Sequence, residues 1–278
     1  MSDMSKVALV TGGTGTLGRH VVSRLLARGW DVRVLSRHSR EVKDGAQFMS
    51  GDLDTGAGID AAVEGAEVII HCAGSNTGDE RKAATLVQAA SRAHVRHLVY
   101  ISVVGADRIP VVGPVDRAMF GYFASKRAAE RVVAESGIPW TTLRATQFHD
   151  LFLLVARQVA RLPVIPLPSG FRFQPVDADE VAARLVELAL AAPVGLAPDL
   201  AGPRIYTTAE LLRSYLQSTH QRRLFVPIWL PGKAARVVKS GANLAPERAD
   251  GRRTWEDFLA ERVGTAHGSG SSLPVTAG

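Results

Sequence analysis

Two residue types are nearly missing from this chain of 278 residues: it has one cysteine, Cys72, and two asparagines, Asn76 and Asn243. A single cysteine excludes an intrachain disulfide and fits a reducing compartment, so a cytoplasmic location is expected. Long apolar runs are missing too. The longest candidates, such as 151–156, fall far short of the roughly 20 residues that cross a bilayer as a helix. Lys6 is followed only by a short apolar run of strand type, so no signal peptide is expected. Charge is not concentrated either. The balance of 33 basic and 27 acidic residues gives a net +6, with the cations scattered apart from small pairs such as Arg222-Arg223 and Arg252-Arg253. Nucleic-acid binding calls for cations gathered on one face, so neither nucleic acid nor membrane is an expected partner. A mildly basic surface favours small anionic ligands, a phosphorylated cofactor among them. No metal-ligand set and no internal repeat stand out.

What is present is organised around Val7–Gly18, VALVTGGTGTLG. An apolar strand-like run ends at Thr11, glycines follow at 12, 15 and 18, and Val21, Val22, Leu25 and Leu26 then recur at helical spacing. Strand, glycine turn and helix form the context a dinucleotide-binding turn requires. Gly12 allows the sharp turn, Gly15 removes a side chain that would block a pyrophosphate, and Gly18 lets helix and strand pack closely. The N–H groups opening the helix then face the phosphate charge.

With 46% hydrophobic residues, the chain has the composition of one large globular domain, or of a domain with an appended lobe. Apolar runs at 7–10, 32–35, 47–49, 68–71, 98–102 and 141–144 alternate with helical patterns near 18–28, 58–64, 79–93 and 122–136. Such alternation predicts an α/β protein with a doubly wound, Rossmann-type parallel sheet. The core is expected over 1–147. Residues 148–263 read as a smaller C-terminal substrate lobe together with late elements of the same domain, with helices near 148–160, 178–192, 207–219, 232–240 and 254–262. Small and polar residues over 264–278 read as a disordered tail.

The second strand runs into Ser36-Arg37-His38-Ser39-Arg40 with no carboxylate at its tip. An acidic residue there would take the ribose hydroxyls of NAD. A hydroxyl and guanidiniums suit a 2′-phosphate instead, so NADP(H) is expected over NAD(H). Asp52 and Leu53 follow the third strand. They resemble the acidic-then-apolar pair that holds adenine in short-chain dehydrogenases; alone they read as a turn, with Asp52 or Asp54 capping the next helix. Cys72, Ala73 and Gly74 end the fourth strand with small side chains that leave room for a ribose, Cys72 reading as a small core residue.

Tyr122-Phe123-Ala124-Ser125-Lys126 places a phenol and an ammonium at i and i+4 on one helix face, at a predicted helix start. A phenol titrates near about 10, and a neighbouring ammonium is expected to lower that value. Tyr122 can then exchange a proton with a carbonyl oxygen, with Ser102, at the end of the fifth strand, holding the same oxygen.

Together these segments resemble the short-chain dehydrogenase/reductase superfamily, and within it the atypical NmrA-like NAD(P)H-binding branch. TGGTGTLGRHVV, HLVYISVVGAD, YFASKRAAE, SGIPWTTLRATQF, QPVDADEVAARLVELA and GANLAPERADGRRTWEDFLA carry the likeness, which covers about 6–262. The resemblance implies cofactor contacts from Gly12, Thr14, Gly15, Thr16, Leu17 and Gly18, from Ser36, Arg37, Asp52 and Leu53, and from Cys72, Ala73 and Gly74. It further implies nicotinamide contacts from Lys126, Ala145 and Thr146, and catalytic roles for Tyr122, Lys126 and Ser102. One departure is plain: many dehydrogenases of the superfamily place an asparagine on the helix after the fourth strand to support a proton relay, and 79–93 has none. The branch includes reductases, redox-neutral isomerases and cofactor-sensing regulators. The expected activity is NADP(H)-dependent hydride transfer to a small apolar carbonyl or quinone-like acceptor. The alternatives are a non-catalytic NADP(H) sensor and an epimerase or dehydratase that retains its nicotinamide. Phe148, Phe152, Phe171, Phe173, Phe225 and Trp229 are either core or the apolar lining of a substrate pocket, His149-Asp150 is either a polar helix start or a substrate contact, and the chain is expected to be a monomer or homodimer.

Overall fold

The computed structural model describes residues 6–37, 45–75 and 77–268. Seven parallel strands form the main sheet: β1 (Val7–Thr11), β2 (Asp31–Ser36), β3 (Gln47–Ser50), β4 (Val68–His71), β5 (His97–Val103), β6 (Trp140–Ala145) and β9 (Gly195–Leu196). Their spatial order is β3-β2-β1-β4-β5-β6-β9, so the winding reverses between β1 and β4. At such a switch point the loops leaving the carboxyl ends diverge and open a crevice for a ligand.

Both faces of the sheet are covered, and alternation along each strand supplies both. On β1, Ala8 and Val10 turn to one face and Leu9 to the other, all fully buried. The first face packs under α1 (Gly18–Leu26) and α6 (Ala178–Leu190), through Val21, Leu25, Val181 and Leu185. The second packs under α2 (Ile59–Val63), α3 (Asp79–Arg92) and α4 (Pro114–Ala134), through Ile59, Leu86, Ala129 and Val133. Nearly continuous apolar strands such as Val68-Ile69-Ile70 are what a sheet buried on both faces requires.

α4 begins at Pro114, eight residues before the helix start expected at Tyr122. Proline suits the first turn, where its missing N–H has no partner to lose. Tyr122 therefore stands two turns inside the helix.

After β6 the chain divides its work. α6 and β9 return to the main sheet. A smaller lobe is built from α5 (His149–Val159), α7 (Thr208–Ser218), α8 (Lys233–Lys239) and α9 (Trp255–Gly268), with two short ribbons. One ribbon pairs β7 (Val164–Pro168) with β11 (Leu224–Ile228) in parallel, and the other pairs β8 (Arg172–Phe173) with β10 (Tyr206–Thr207) antiparallel. Its core holds Leu153, Ile165, Tyr206, Trp255 and Phe258. α9 continues to Gly268 and so enters the tail expected from 264; residues 269–278 lie outside the described residues.

Candidate functional site

The glycine turn closes on itself. Gly15 N donates to Gly12 O at 2.9 Å. Gly12 adopts φ +67°, and a Cβ there would lie 2.7 Å from Ala73 N. At Gly18 a Cβ would lie 2.1 Å from Gly12 O. Gly12 thus lets β1 turn against the end of β4, and Gly18 lets α1 start directly on the turn. Gly13, which the spacing of glycines did not single out, fits against the Val34 side chain, 2.7 Å from where its Cβ would be.

At the switch point a cleft of about 530 Å³ opens above this turn. It is lined by Gly12, Thr14 and Gly15 from the turn; Ser36 and Arg37 after β2; Asp52 and Leu53 after β3; and Cys72, Ala73 and Gly74 after β4. Ten of the expected cofactor residues therefore meet in one cleft. Thr16, Leu17, Gly18, Lys126, Ala145 and Thr146 do not line it: Leu17 is buried in the core beneath, Gly18 serves packing, Lys126 stands on α4, and Ala145 and Thr146 are buried at the end of β6. His38, Ser39 and Arg40 lie outside the described residues. Neither Asp52 nor Asp54 caps α2, whose first turn has no side-chain cap; Asp52 accepts from Asp54 N at 2.9 Å within its own turn. Asp54 pairs with Arg81 at 2.8 Å, which holds its carboxyl below the usual range. Six further residues line the cleft that were not expected as cofactor contacts, Thr11, Leu35, Gly51, Asp54, Ser75 and Lys82. Lys82 Nζ donates to Ser75 Oγ at 2.6 Å. It reaches the cleft from the second turn of α3, so only the packing of α3 places it there.

The carboxyl ends of β1 and β4 are tied together. Thr11 Oγ1 accepts from Ala73 N at 3.2 Å and shares a hydrogen bond with His71 Nδ1 at 2.6 Å. His71 is fully buried, and burial, with Lys126 and Lys82 nearby, pushes its imidazole down to about 3. Burial pushes the Cys72 thiol up to about 12. Reactivity belongs to the thiolate, so Cys72 is a small lining residue.

Next along the same edge stand Ser102, Lys126 and Tyr122. Lys126 is 3% exposed. Its Nζ donates to Ile101 O at 3.2 Å and lies 3.2 Å from Asp79 Oδ2. The ring centroids of Tyr100 and Tyr122 are 4.9 and 5.8 Å away. α4 thus delivers its ammonium beside the residue preceding Ser102. Ser102 is buried and its Oγ has no hydrogen-bond partner among the described residues, as is true of Thr146 Oγ1 and Gln147 Oε1 after β6. Buried polar atoms normally find partners. Orphans gathered at the carboxyl edge, beside a glycine cradle that side chains would fill, fit a ligand with polar groups of its own.

The electrostatics of Tyr122 run opposite to the sequence expectation. Burial, and then the Asp79 carboxylate, push its phenol up to about 12. The ammonium was expected to pull it down, but Asp79 is its counterion. Burial in turn pulls the Lys126 ammonium below its ordinary value, against the opposing pull of Asp79.

His149 is not a substrate contact. It is fully buried in the lobe, 5.1 Å from the Phe258 ring and 6.0 Å from that of Trp255. Asp150 faces Arg19 and Arg262. The aromatic supply is mostly core as well: Phe152, Phe173 and Phe225 pack into the lobe, Phe171 beneath α8 and Phe148 against the main core. Trp229 is exposed. Among the described residues no helix is long and apolar enough to cross a membrane.

Residues 12–189 match a family model described as NAD(P)H-binding. The chain is 31% identical to the ceramide reductase of Caulobacter vibrioides over 238 residues, covering 76% of this chain and 70% of that protein. It is 26% identical to the NAD(P)H azoreductase of Xenophilus azovorans over 249 residues, covering 87% and 83%. Some other curated relatives are matched over about half of their own length, 46% and 47% in two instances. Among solved structures, the NADPH-dependent quinone oxidoreductase of Escherichia coli, complexed with NADPH, superimposes with a TM-score of 0.76 over 92% of this chain and 99% of that one. Sequence identity there is 19%, so that likeness is one of fold.

Proposed function

The chain belongs to the NAD(P)H-binding family, and from that premise we propose that it is an NADP(H)-dependent reductase acting on an apolar carbonyl or quinone-like acceptor. The observation that carries the proposal is the group at the end of β5: buried Lys126 anchored to Ile101 O, Tyr122, about a third exposed, kept as a neutral phenol, and buried Ser102 Oγ without a partner among the described residues.

Each residue has one task in this reading. The dinucleotide supplies the hydride. Tyr122 gives its phenolic proton to the acceptor oxygen, and solvent restores it afterwards. A phenol held protonated suits donation, which is the reductive direction. Ser102 donates to the same oxygen and fixes its position. Lys126, with one acceptor at Ile101 and one counterion at Asp79, has a further N–H to offer a ribose hydroxyl. Ser36 and Arg37 take the 2′-phosphate, since the tip of β2 presents a hydroxyl and a guanidinium and no carboxylate. Asp52 and Leu53 hold the adenine, and Ala145 and Thr146 border the nicotinamide. The names of the ceramide reductase, azoreductase and quinone oxidoreductase support reduction as the reaction class.

The test follows NADPH oxidation against quinones, aldehydes and ketones. Turnover is expected with at least one class. Tyr122→Phe is expected to bind NADPH normally and lose about 100-fold or more in kcat, the usual loss when a general acid is removed. NADPH that binds but is consumed with no acceptor would instead make the protein a cofactor sensor.

A further inference from the structure

α3 carries no asparagine, and its first residue is a buried acid that the sequence did not mark for any role. We propose that Asp79 is the positioning residue of this site: its carboxylate anchors the Lys126 ammonium at the end of β5, keeps it charged, and thereby leaves Tyr122 a proton donor. The inference rests on the reductase reading of Tyr122 and Lys126 and adds what holds them in working order.

Four observations support it. Asp79 is fully buried. Its Oδ1 accepts from Ser75 N at 2.8 Å, which orients the carboxylate, while Oδ2 faces Lys126 Nζ at 3.2 Å. The Asp79 N–H donates to Ser125 Oγ at 3.1 Å, so the start of α3 is fastened to α4 one residue before Lys126. Gly74 leaves the space the pair needs, because a Cβ there would lie 3.0 Å from Nζ and 3.4 Å from Oδ2. Gly74 also lines the cofactor cleft. The pair therefore stands directly behind Gly74, one residue deeper than the cleft lining.

The charge balance points the same way. The titratable groups that act on Lys126 are Asp79 from α3, His71 and Cys72 from β4, Tyr100 from β5, and Tyr122 and Glu130 from α4. Burial keeps the imidazole, the thiol and both phenols neutral. Glu130 is held by a two-point contact with Arg144, at 2.8 and 2.7 Å. That leaves Asp79 as the anion dedicated to the ammonium. A buried ammonium without a counterion gives up its proton. One with a counterion keeps it and exerts little net field on a neighbouring phenol.

The experiment uses the full chain and reads Lys126 directly, by the pH titration of its 13Cε resonance, assigned with Lys126→Arg. In the wild-type protein Lys126 is expected to stay charged through the neutral range, although burial pulls its titration below the ordinary lysine value. Asp79→Asn is expected to lower the titration by about 1–3 pH units, the usual effect of one adjacent charge. NADPH affinity of this variant is then expected to fall as pH rises through the new midpoint, with wild type flat and Asp79→Glu restoring the flat profile. A folded Asp79→Asn whose Lys126 titrates as in wild type overturns the proposal. If Asp79→Asn does not fold, the wild-type titration still decides, because Lys126 losing its proton below about pH 8 overturns the proposal too. Wild type that turns over no acceptor defeats the reductase reading instead, and leaves the Lys126 titration interpretable.

Discussion

Arg37 is an exposed guanidinium with Ser36 before it and Asp54 across the cleft mouth, where its charge helps hold the Asp54 carboxyl low. If it meets a 2′-phosphate, its loss should be felt by one cofactor and not by the other. Arg37→Ala is expected to weaken NADPH binding about tenfold, the equivalent of one charge-assisted hydrogen bond, and to leave NADH binding unchanged. Equal losses for both cofactors would remove Arg37 from phosphate recognition. The local parts of the site were legible in the sequence. Glycine spacing reports steric limits set within a few residues, and Tyr122 and Lys126 share a face because of helical pitch alone. Asp79 was not legible. An acid in the first turn of a helix already answers to the helix dipole, and nothing nearby in sequence marks it as the partner of a lysine 47 positions on. The phenol's direction of shift was missed for the same reason, since its sign depends on a counterion from another helix.

At the scale of elements, the six long strands were readable because each is a short apolar run between turn signals. The start of α4 was not, because 114–121 mixes a buried Phe120 with exposed Val115 and Met119 and shows no single apolar stripe. The ribbons β7–β11 and β8–β10 were missed because their strands are short or proline-bearing, and pairing between distant segments supplies what propensity does not. The glycines of the turn and of α4 make opposite predictions for one substitution. Gly18→Ala drives a Cβ to 2.1 Å from Gly12 O and 2.6 Å from Gly13 Cα, both backbone atoms that cannot swing away. It is expected to cost about 1–3 kcal/mol, as overpacking does, and to abolish dinucleotide binding by opening the turn. Gly121→Ala, inside α4 with nothing within 4 Å of the new Cβ, is expected to stabilise by about 0.5–1 kcal/mol through helix propensity. Thermal melts of the two variants check both signs, and a Gly18→Ala protein with unchanged melting and NADPH affinity would contradict the turn geometry described.

For the whole molecule, stability should depend on pH through its buried histidines: burial pulls His97 down, and two others, in different cores, further. His71 sits between β1 and β5 with its imidazole pushed down to about 3, and His149 sits beneath α9 with its own pushed down to about 4. Burial is the leading cause for both. In the unfolded chain each titrates near about 6.5. The unfolded state therefore binds protons first as pH falls, and the stability these neutral imidazoles contribute is whole above about pH 6.5 and is lost progressively below it, down to the folded values. Each histidine adds a slope of about 1.4 kcal/mol per pH unit in that window. Acidic groups held by cations, such as Asp179 on Arg24, steepen the same limb, at lower pH, because their carboxyls must be protonated in the unfolded chain. The melting temperature is thus expected to be level from neutral pH to about pH 6.5 and to fall steeply toward about pH 4.5. His149→Gln removes one of these titrations, at a site where His149 Nδ1 lies 4.0 Å from Asp177 Oδ2, the oxygen that Arg253 holds at 2.8 Å. It is expected to lower stability at neutral pH and to flatten the acid limb between about pH 6.5 and 4.5 by up to about 1.4 kcal/mol per pH unit. An acid limb of unchanged slope in that variant would mean that His149 is not buried neutral in the folded protein, and the packing of α5 against α9 would have to be redrawn.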